Sequence, residues 1–270
     1  MELGFNKILP MDICVAPDSH TFNNNYGFPA RPVLIKNVAN HWKAMTAWTP
    51  EVFSTRYPDL WVRVVRTDNS EAKVMMLQDY FRYMQDPGEE NPYYLKDWVF
   101  EEDCPELLQD YDVPSYFSSW LEHMDPAEKP ALRWFYIGPA GSGSRMHLDT
   151  MDTSAWNAVI SGQKHWLFFP AEQSSCVYNG EVDAFHPDFE RFPLLAAAEP
   201  IYCIQGPGDI VFTPSGYWHQ VYNARPGISI TENFVNETNI EQVKQYFIQH
   251  QLHDELETLQ HLVAHVNASR

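Results

Sequence analysis

Gly206-Pro-Gly-Asp-Ile-Val-Phe-Thr-Pro-Ser-Gly-Tyr-Trp-His219 reads as a tight turn, a short apolar strand, a Pro-Ser-Gly turn and the start of another strand. Such a hairpin carries His219 to the mouth of whatever the strands enclose. Working outward, further short apolar runs lie at 133–137, 155–160, 165–169, 200–204, 209–212, 219–222 and 228–231, separated by Gly, Pro, Asn or Ser. Seven strands at that spacing predict a mainly β fold, an antiparallel sandwich or barrel, for which a two-sheet jelly roll is the natural closure. Residues 172–199 hold Pro187 and Pro193 and read as a long insertion between strands.

The first half is mixed. Residues 1–30, with Asn23-Asn24-Asn25, form an arm, and Arg31-Pro-Val-Leu-Ile-Lys36 is a strand opened by a proline. Thr49 caps a helix whose first position is Pro50, 61–65 alternates as a strand, and the apolar stripe of a helix from Met75 to Met84 falls on Leu77, Tyr80, Phe81 and Met84. Residues 91–97 make a short strand and 112–117 an irregular link. Past Asn239, Ile240, Val243 and Phe247 mark one helical stripe, and Leu252, Leu256, Leu259, Val263 and Val266 a heptad-like seam. That seam suits either packing back on the barrel or pairing with a second copy as a homodimer.

The chain has 270 residues, 44% hydrophobic and 14% aromatic, enough for a sizeable core. With 36 acidic and 18 basic side chains the formal charge is −18, which repels phosphate backbones and favours a partner with a basic segment over nucleic acid. Cys14, Cys104, Cys176 and Cys203 have no paired spacing and are expected to be free thiols, buried or half-buried. No basic run precedes an apolar one near Met1, and no apolar stretch is long enough to span a bilayer, so a cytoplasmic or nuclear protein without membrane attachment is expected.

Chemistry concentrates in Met146-His147-Leu148-Asp149. Residues one apart on a strand share a face, so His147 and Asp149 can converge on one point, and His219 supplies a remote third group. Two His and one carboxylate form the facial triad that leaves positions open on iron(II). His-x-Asp alone is a common spacing; its setting adds weight. Gly138-Pro-Ala-Gly-Ser-Gly143 suits a pocket rim. Asn157 and Lys164 lie in strands that otherwise read as core, and Thr231 can offer a hydroxyl to the same interior. Lys164 suits either an inward ammonium holding a ligand carboxylate or a strand-edge side chain in solvent. Of the other histidines, His41, His123, His165, His186, His250, His253, His261 and His265 read as surface or satisfied core residues.

Taken together, W-F-Y-I-G-P-A-G-S-G-S-R-M-H-L-D, T-S-A-W-N-A, G-Q-K-H-W-L-F-F-P, P-G-D-I-V-F-T-P-S-G-Y-W-H-Q-V and I-S-I-T-E-N-F-V-N, spread over 134–236, resemble a JmjC domain of the iron(II) and 2-oxoglutarate dependent oxygenases. With the upstream P-V-L-I-K-N-V-A-N-H-W-K-A, Y-L-K-D and D-Y-D-V-P-S-Y-F, they are most similar to the Jumonji-domain lysyl hydroxylases numbered four and six. The resemblance implies a double-stranded β-helix, a cupin-like jelly roll, as catalytic core over 131–238. It would carry an N-terminal α/β segment over 1–130 packed on the barrel and C-terminal helices over 239–270. It implies that His147, Asp149 and His219 bind Fe(II) and are the catalytic centre. Lys164, helped by Thr231, would pair with the distal carboxylate of 2-oxoglutarate, and Asn157, Ser144 and Tyr94 would complete the cosubstrate pocket, O2 being the second cosubstrate. Ser144 stands where that subgroup commonly has Thr and keeps the hydroxyl. The implied activity is hydroxylation of a protein side chain, lysine first. A small-molecule hydroxylase and a binding module without catalysis are the alternatives. No reader domain or zinc motif supports N-methyl demethylation.

Overall fold

A computed structural model describes residues 3–268; Met1, Glu2, Ser269 and Arg270, the outer ends of the arm and of the C-terminal segment, lie outside the described residues. In chain order the strands are β1 (Leu9–Pro10), β2 (Asp12–Val15), β3 (Val33–Lys36), β4 (Trp61–Arg66), β5 (Ala72–Met76), β6 (Tyr93–Trp98), β7 (Arg133–Gly138), β8 (Gly143–His147), β9 (Ser154–Phe169), β10 (Ile201–Gln205), β11 (Ile210–Thr213) and β12 (Trp218–Phe234).

Two long strands organise the barrel. β9 and β12, of 16 and 17 residues, pair antiparallel from Trp218 opposite Phe169 to Phe234 opposite Ser154. The first half of β9 is flanked by β11 and its second half by β10, while the first half of β12 is flanked by β8 and its second half by β7. One strand pair therefore serves both faces of a cupin-like jelly roll, crossing between them where the register slips at Asn223, Arg225 and Ile228. The crossing is tight. A Cβ on Gly162, whose φ is +88°, would lie 2.6 Å from the Pro226 carbonyl oxygen, and one on Gly227 would lie 2.0 Å from that of Ser161. The runs 155–160 and 165–169, expected as separate strands, are thus one, and so are 219–222 and 228–231. Gly and Pro mark the bend, but the ladder continues through it.

Strands before residue 130 widen the same sheet. β3 pairs with β11 and carries β2, whereas β6 pairs with β7 and carries β4 and β5. The main core accordingly mixes Phe22, Trp48, Phe53 and Phe117 with Phe135, Trp156, Phe212 and Phe234 from the barrel, for example Trp48 edge-on to Phe135 at 4.5 Å.

Thr49 caps the helix Pro50–Arg56 by accepting from the Val52 N–H, as its sequence predicts. The helix Leu77–Gln85 buries Leu77, Tyr80, Phe81 and Met84, but Met75 and Met76 belong to β5 and pair with Val62 and Trp61. Their apolar spacing continues the helical stripe backwards; the ladder with β4 decides otherwise. The arm is more ordered than its composition suggests, since it contributes β1, β2 and the turn Ser19–Phe22 capped by Asp18. The insertion at 172–199 has no strand, yet Val177, Val182, Ala184 and Leu195 are buried against Leu167 and Phe169. The helices Ile240–Gln249 and His253–Ala268 pack back on the domain: Val243, Phe247, Leu259, Leu262 and Val266 cluster with Trp120, Leu121, Leu132 and Val235. Leu252, Leu256 and Val263 of the expected seam sit half-buried at its margin. All four cysteines are free, Cys104 and Cys203 buried. No helix of the described residues is long and apolar enough to cross a membrane.

Candidate metal and cosubstrate site

His147 ends β8 and His219, the second residue of β12, lies directly opposite it in the antiparallel register, with ring centroids 4.1 Å apart. Asp149 is not on the strand, as the spacing implies; it lies two residues past the end of β8, on extended backbone that opens a 3-10 turn, Thr150–Asp152. The alternation of side chains survives the end of the ladder. Ligand atoms of His147, Asp149 and His219 all lie within 4.8 Å of one another, and no other such group occurs among the described residues.

Both imidazoles are oriented by their own backbone. His147 Nδ1 meets the Arg145 carbonyl at 2.7 Å and His219 Nδ1 that of Tyr217 at 3.0 Å. A carbonyl oxygen only accepts, so each Nδ1 carries a proton, and the tautomer this selects in a neutral imidazole turns the Nε2 lone pair toward the cavity. Burial, then the neighbouring His147, holds His219 well below the usual histidine range, in the neutral form that binds a metal. Asp149 is half-buried with its Oδ2 enclosed; that enclosure pushes its carboxyl up, and Oδ2 has no hydrogen-bond partner. A buried carboxylate oxygen without a donor, beside two imidazoles, is a candidate cation site, and this N2O donor set fits iron(II).

The same cavity is lined by Tyr94, Ser144, Asn157, Lys164 and Thr231, so all eight residues singled out in the sequence surround one space. Lys164 faces inward. It is 6% exposed, its Nζ donates to the Tyr94 hydroxyl at 3.0 Å, and burial alone pulls its ammonium down to about 7. Tyr94 is itself buried, and burial first of all pushes its hydroxyl above the usual range, so it stays protonated. Asn157 and Thr231 stand opposite each other on β9 and β12, the Asn157 amide donating to the Thr231 Oγ1 at 2.6 Å while its Oδ1 is left unpaired. A half-turn of that amide lets Thr231 donate instead and frees two N–H groups for an anion. Lys164, Tyr94 and Asn157 thus bring several donor groups together with no carboxylate paired to the lysine, which suits a ligand carboxylate.

Sequence reasoning left out Trp134, Tyr136, Trp166, Val221 and Asn233, which line the same cavity. The period of two could have found three of them. Trp134 and Tyr136 alternate with buried Phe135 and Ile137, and Asn233 follows Thr231 by two residues.

Residues 19–240 match the family described as the cupin-like domain. The chain is 36% identical over 224 residues to the lysine-specific demethylase JMJ21 of Arabidopsis thaliana, covering 77% of this chain and 24% of that protein. It is 33% identical over 238 residues to the bifunctional arginine demethylase and lysyl-hydroxylase psr-1 of Caenorhabditis elegans, covering 81% and 59%. Against the 2-oxoglutarate and iron-dependent oxygenase JMJD4 of Danio rerio it is 31% identical over 268 residues, covering 88% and 62%. The chain therefore spans less than two thirds of the length of each of these curated relatives.

Proposed function

The chain belongs to the cupin-like JmjC family, and from that premise we propose that it is an iron(II) and 2-oxoglutarate dependent oxygenase that hydroxylates a protein side chain, lysine first. The observation that carries this reading is one cavity with two unmet needs in its chemistry: a His, His, Asp cluster with an unpaired carboxylate oxygen, and a buried lysine with no carboxylate. His147, Asp149 and His219 would hold iron(II). Lys164 and Thr231 would bind the distal carboxylate of 2-oxoglutarate, with Tyr94, Asn157 and Ser144 fixing its orientation. When bound, the metal supplies the means to couple decarboxylation of 2-oxoglutarate by O2 to oxidation of a C–H bond.

The chain's own residues contribute orientation and exclusion of water. The Arg145 and Tyr217 carbonyls hold both imidazoles in the ligating tautomer, a kind of support whose loss typically costs roughly 10–100-fold in metal affinity or activity. Trp156, Trp166 and Val221 wall the cavity, so a carboxylate on Lys164 meets little competing water. On this reading residues 131–238 are the catalytic core, supported by 1–130 and 239–270. A protein target with a basic segment fits the charge of −18.

Demethylation is a second reading, without a motif of its own in the sequence but favoured by the similarity to the demethylases JMJ21 and psr-1. Hydroxylation of an N-methyl carbon gives an unstable carbinolamine that releases formaldehyde, so one site serves both outcomes. Succinate release from 2-oxoglutarate by the purified protein with iron(II) tests the oxygenase reading. Mass spectrometry of proteins captured by Asp149→Ala, before and after exposure to active enzyme, separates gain of one oxygen from loss of a methyl group. Absence of succinate above the Asp149→Ala background would overturn the proposal.

A further inference from the structure

Beside the cavity, β4, β5 and β6 present a face that neither the metal nor the cosubstrate uses. Val65 of β4 stands opposite both Ala72 of β5 and Tyr94 of β6, so the side chains that share its face can be followed across three strands. On β4 they are Trp61 and Arg63, on β5 Val74 and Met76, and on β6 Lys96, two residues beyond Tyr94. Tyr94 lines the cosubstrate cavity; past it the face opens to solvent. Trp61 is 60% exposed and Val74 61%, with Arg63 exposed beside them and Lys96 half-buried.

The opposite side of the mouth adds a third cation. Arg145 lies on β8 between Ser144 and His147, and its guanidinium donates to the Asp68 carbonyl, in the turn that joins β4 to β5, at 3.3 Å. Burial first of all pulls the Lys96 ammonium down; Asp97 works against this, and Arg145 and Arg63 add to it, so the three cations share one neighbourhood. Elsewhere on the chain basic side chains stand on carboxylates, as Arg31 does on Asp12, Arg56 on Glu106 and Lys129 on Glu122. Among the described residues Arg63, Lys96 and Arg145 have no such ion pair. The nearby carboxylates are engaged otherwise: Asp97 accepts from the Tyr136 hydroxyl at 2.7 Å and Asp68 from the Ser70 N–H at 2.9 Å. On a chain of net charge −18, three cations without an anion beside two exposed apolar side chains complement a short anionic segment that also carries an apolar group. A long polyanion fits less well, because one small basic face does not offset repulsion from the acidic surface around it.

We propose that Trp61, Arg63, Val74, Lys96 and Arg145 form a docking face for an acidic segment of the protein target, its carboxylates on the three cations and an apolar side chain against Trp61. This rests on the oxygenase reading and adds to it a local requirement opposite in sign to the one the net charge favours. Fluorescence anisotropy reads it with three labelled probes: a peptide of glutamate and leucine, its counterpart with glutamine for glutamate, and an oligothymidylate of matching length. The glutamate peptide should bind about tenfold better than its counterpart, the size of three exposed charge pairs, and high salt should erase the difference. Arg63→Glu combined with Lys96→Glu should abolish that preference, and Trp61→Ala should weaken both peptides. Arg191→Glu, a charge reversal at an exposed position of the insertion, should leave the preference in place. Equal binding of the two peptides to the wild-type protein, including none at all, would sink the idea, as would tighter binding of the oligothymidylate. So would a preference kept by the double variant or lost in Arg191→Glu. The wild-type comparison stands even where a variant fails to fold. Succinate release without any probe reports the oxygenase reading separately.

Discussion

The two ends of the cavity are built in different ways. At the candidate triad, each histidine is held by the carbonyl two residues before it, Arg145 for His147 and Tyr217 for His219, and the carboxylate of Asp149 follows His147 by two residues. At the lysine end every contact is long-range: Lys164 meets Tyr94 from seventy positions earlier, and Asn157 meets Thr231 from seventy-four positions later. A metal site of this kind can be written in two short motifs plus one pairing. A carboxylate pocket must be assembled by the barrel, and its lysine is held in a place that disfavours its own charge.

Three substitutions and one condition bear on that contrast. The largest effect is expected from Asp149→Ala, which removes the anion that two neutral imidazoles cannot replace; iron retained after gel filtration and succinate formation should both fall to background. Lys164→Ala should spare the metal and raise the KM for 2-oxoglutarate roughly a hundredfold or more, since removing one partner of a buried ion pair costs about 3–5 kcal/mol. Equal loss of iron in both variants would mean that the two ends do not act separately.

A smaller, graded effect should come from pH. Burial pulls the Lys164 ammonium down to about 7, so the free protein loses that proton as pH rises through 7, while a bound carboxylate requires it. Affinity for 2-oxoglutarate should be flat below about pH 7 and weaken above it by up to about tenfold per unit. Calorimetric titration across that range checks the sign; affinity that rises with pH contradicts it. The smallest effect is expected for Tyr94→Phe, which deletes one hydroxyl on Lys164 and should weaken cosubstrate binding by roughly fivefold, about 1 kcal/mol, with the metal retained.

What the sequence by itself determined follows from local rules. Alternation along a strand put His147 and Asp149 on one side even though the ladder stops between them, Thr49 and Pro50 marked a helix start, and the turn before His219 marked a strand carrying a ligand. Only the tertiary structure decided the rest. Gly162 and Gly227 look like breaks in sequence but sit inside continuous strands, because a glycine without a Cβ lets two backbones cross where any other residue would collide. The choice between a solvent lysine and an inward one at 164 depends on which way a bulged strand turns. Local periodicity sets which side chains share a face; closing the barrel sets what that face encloses.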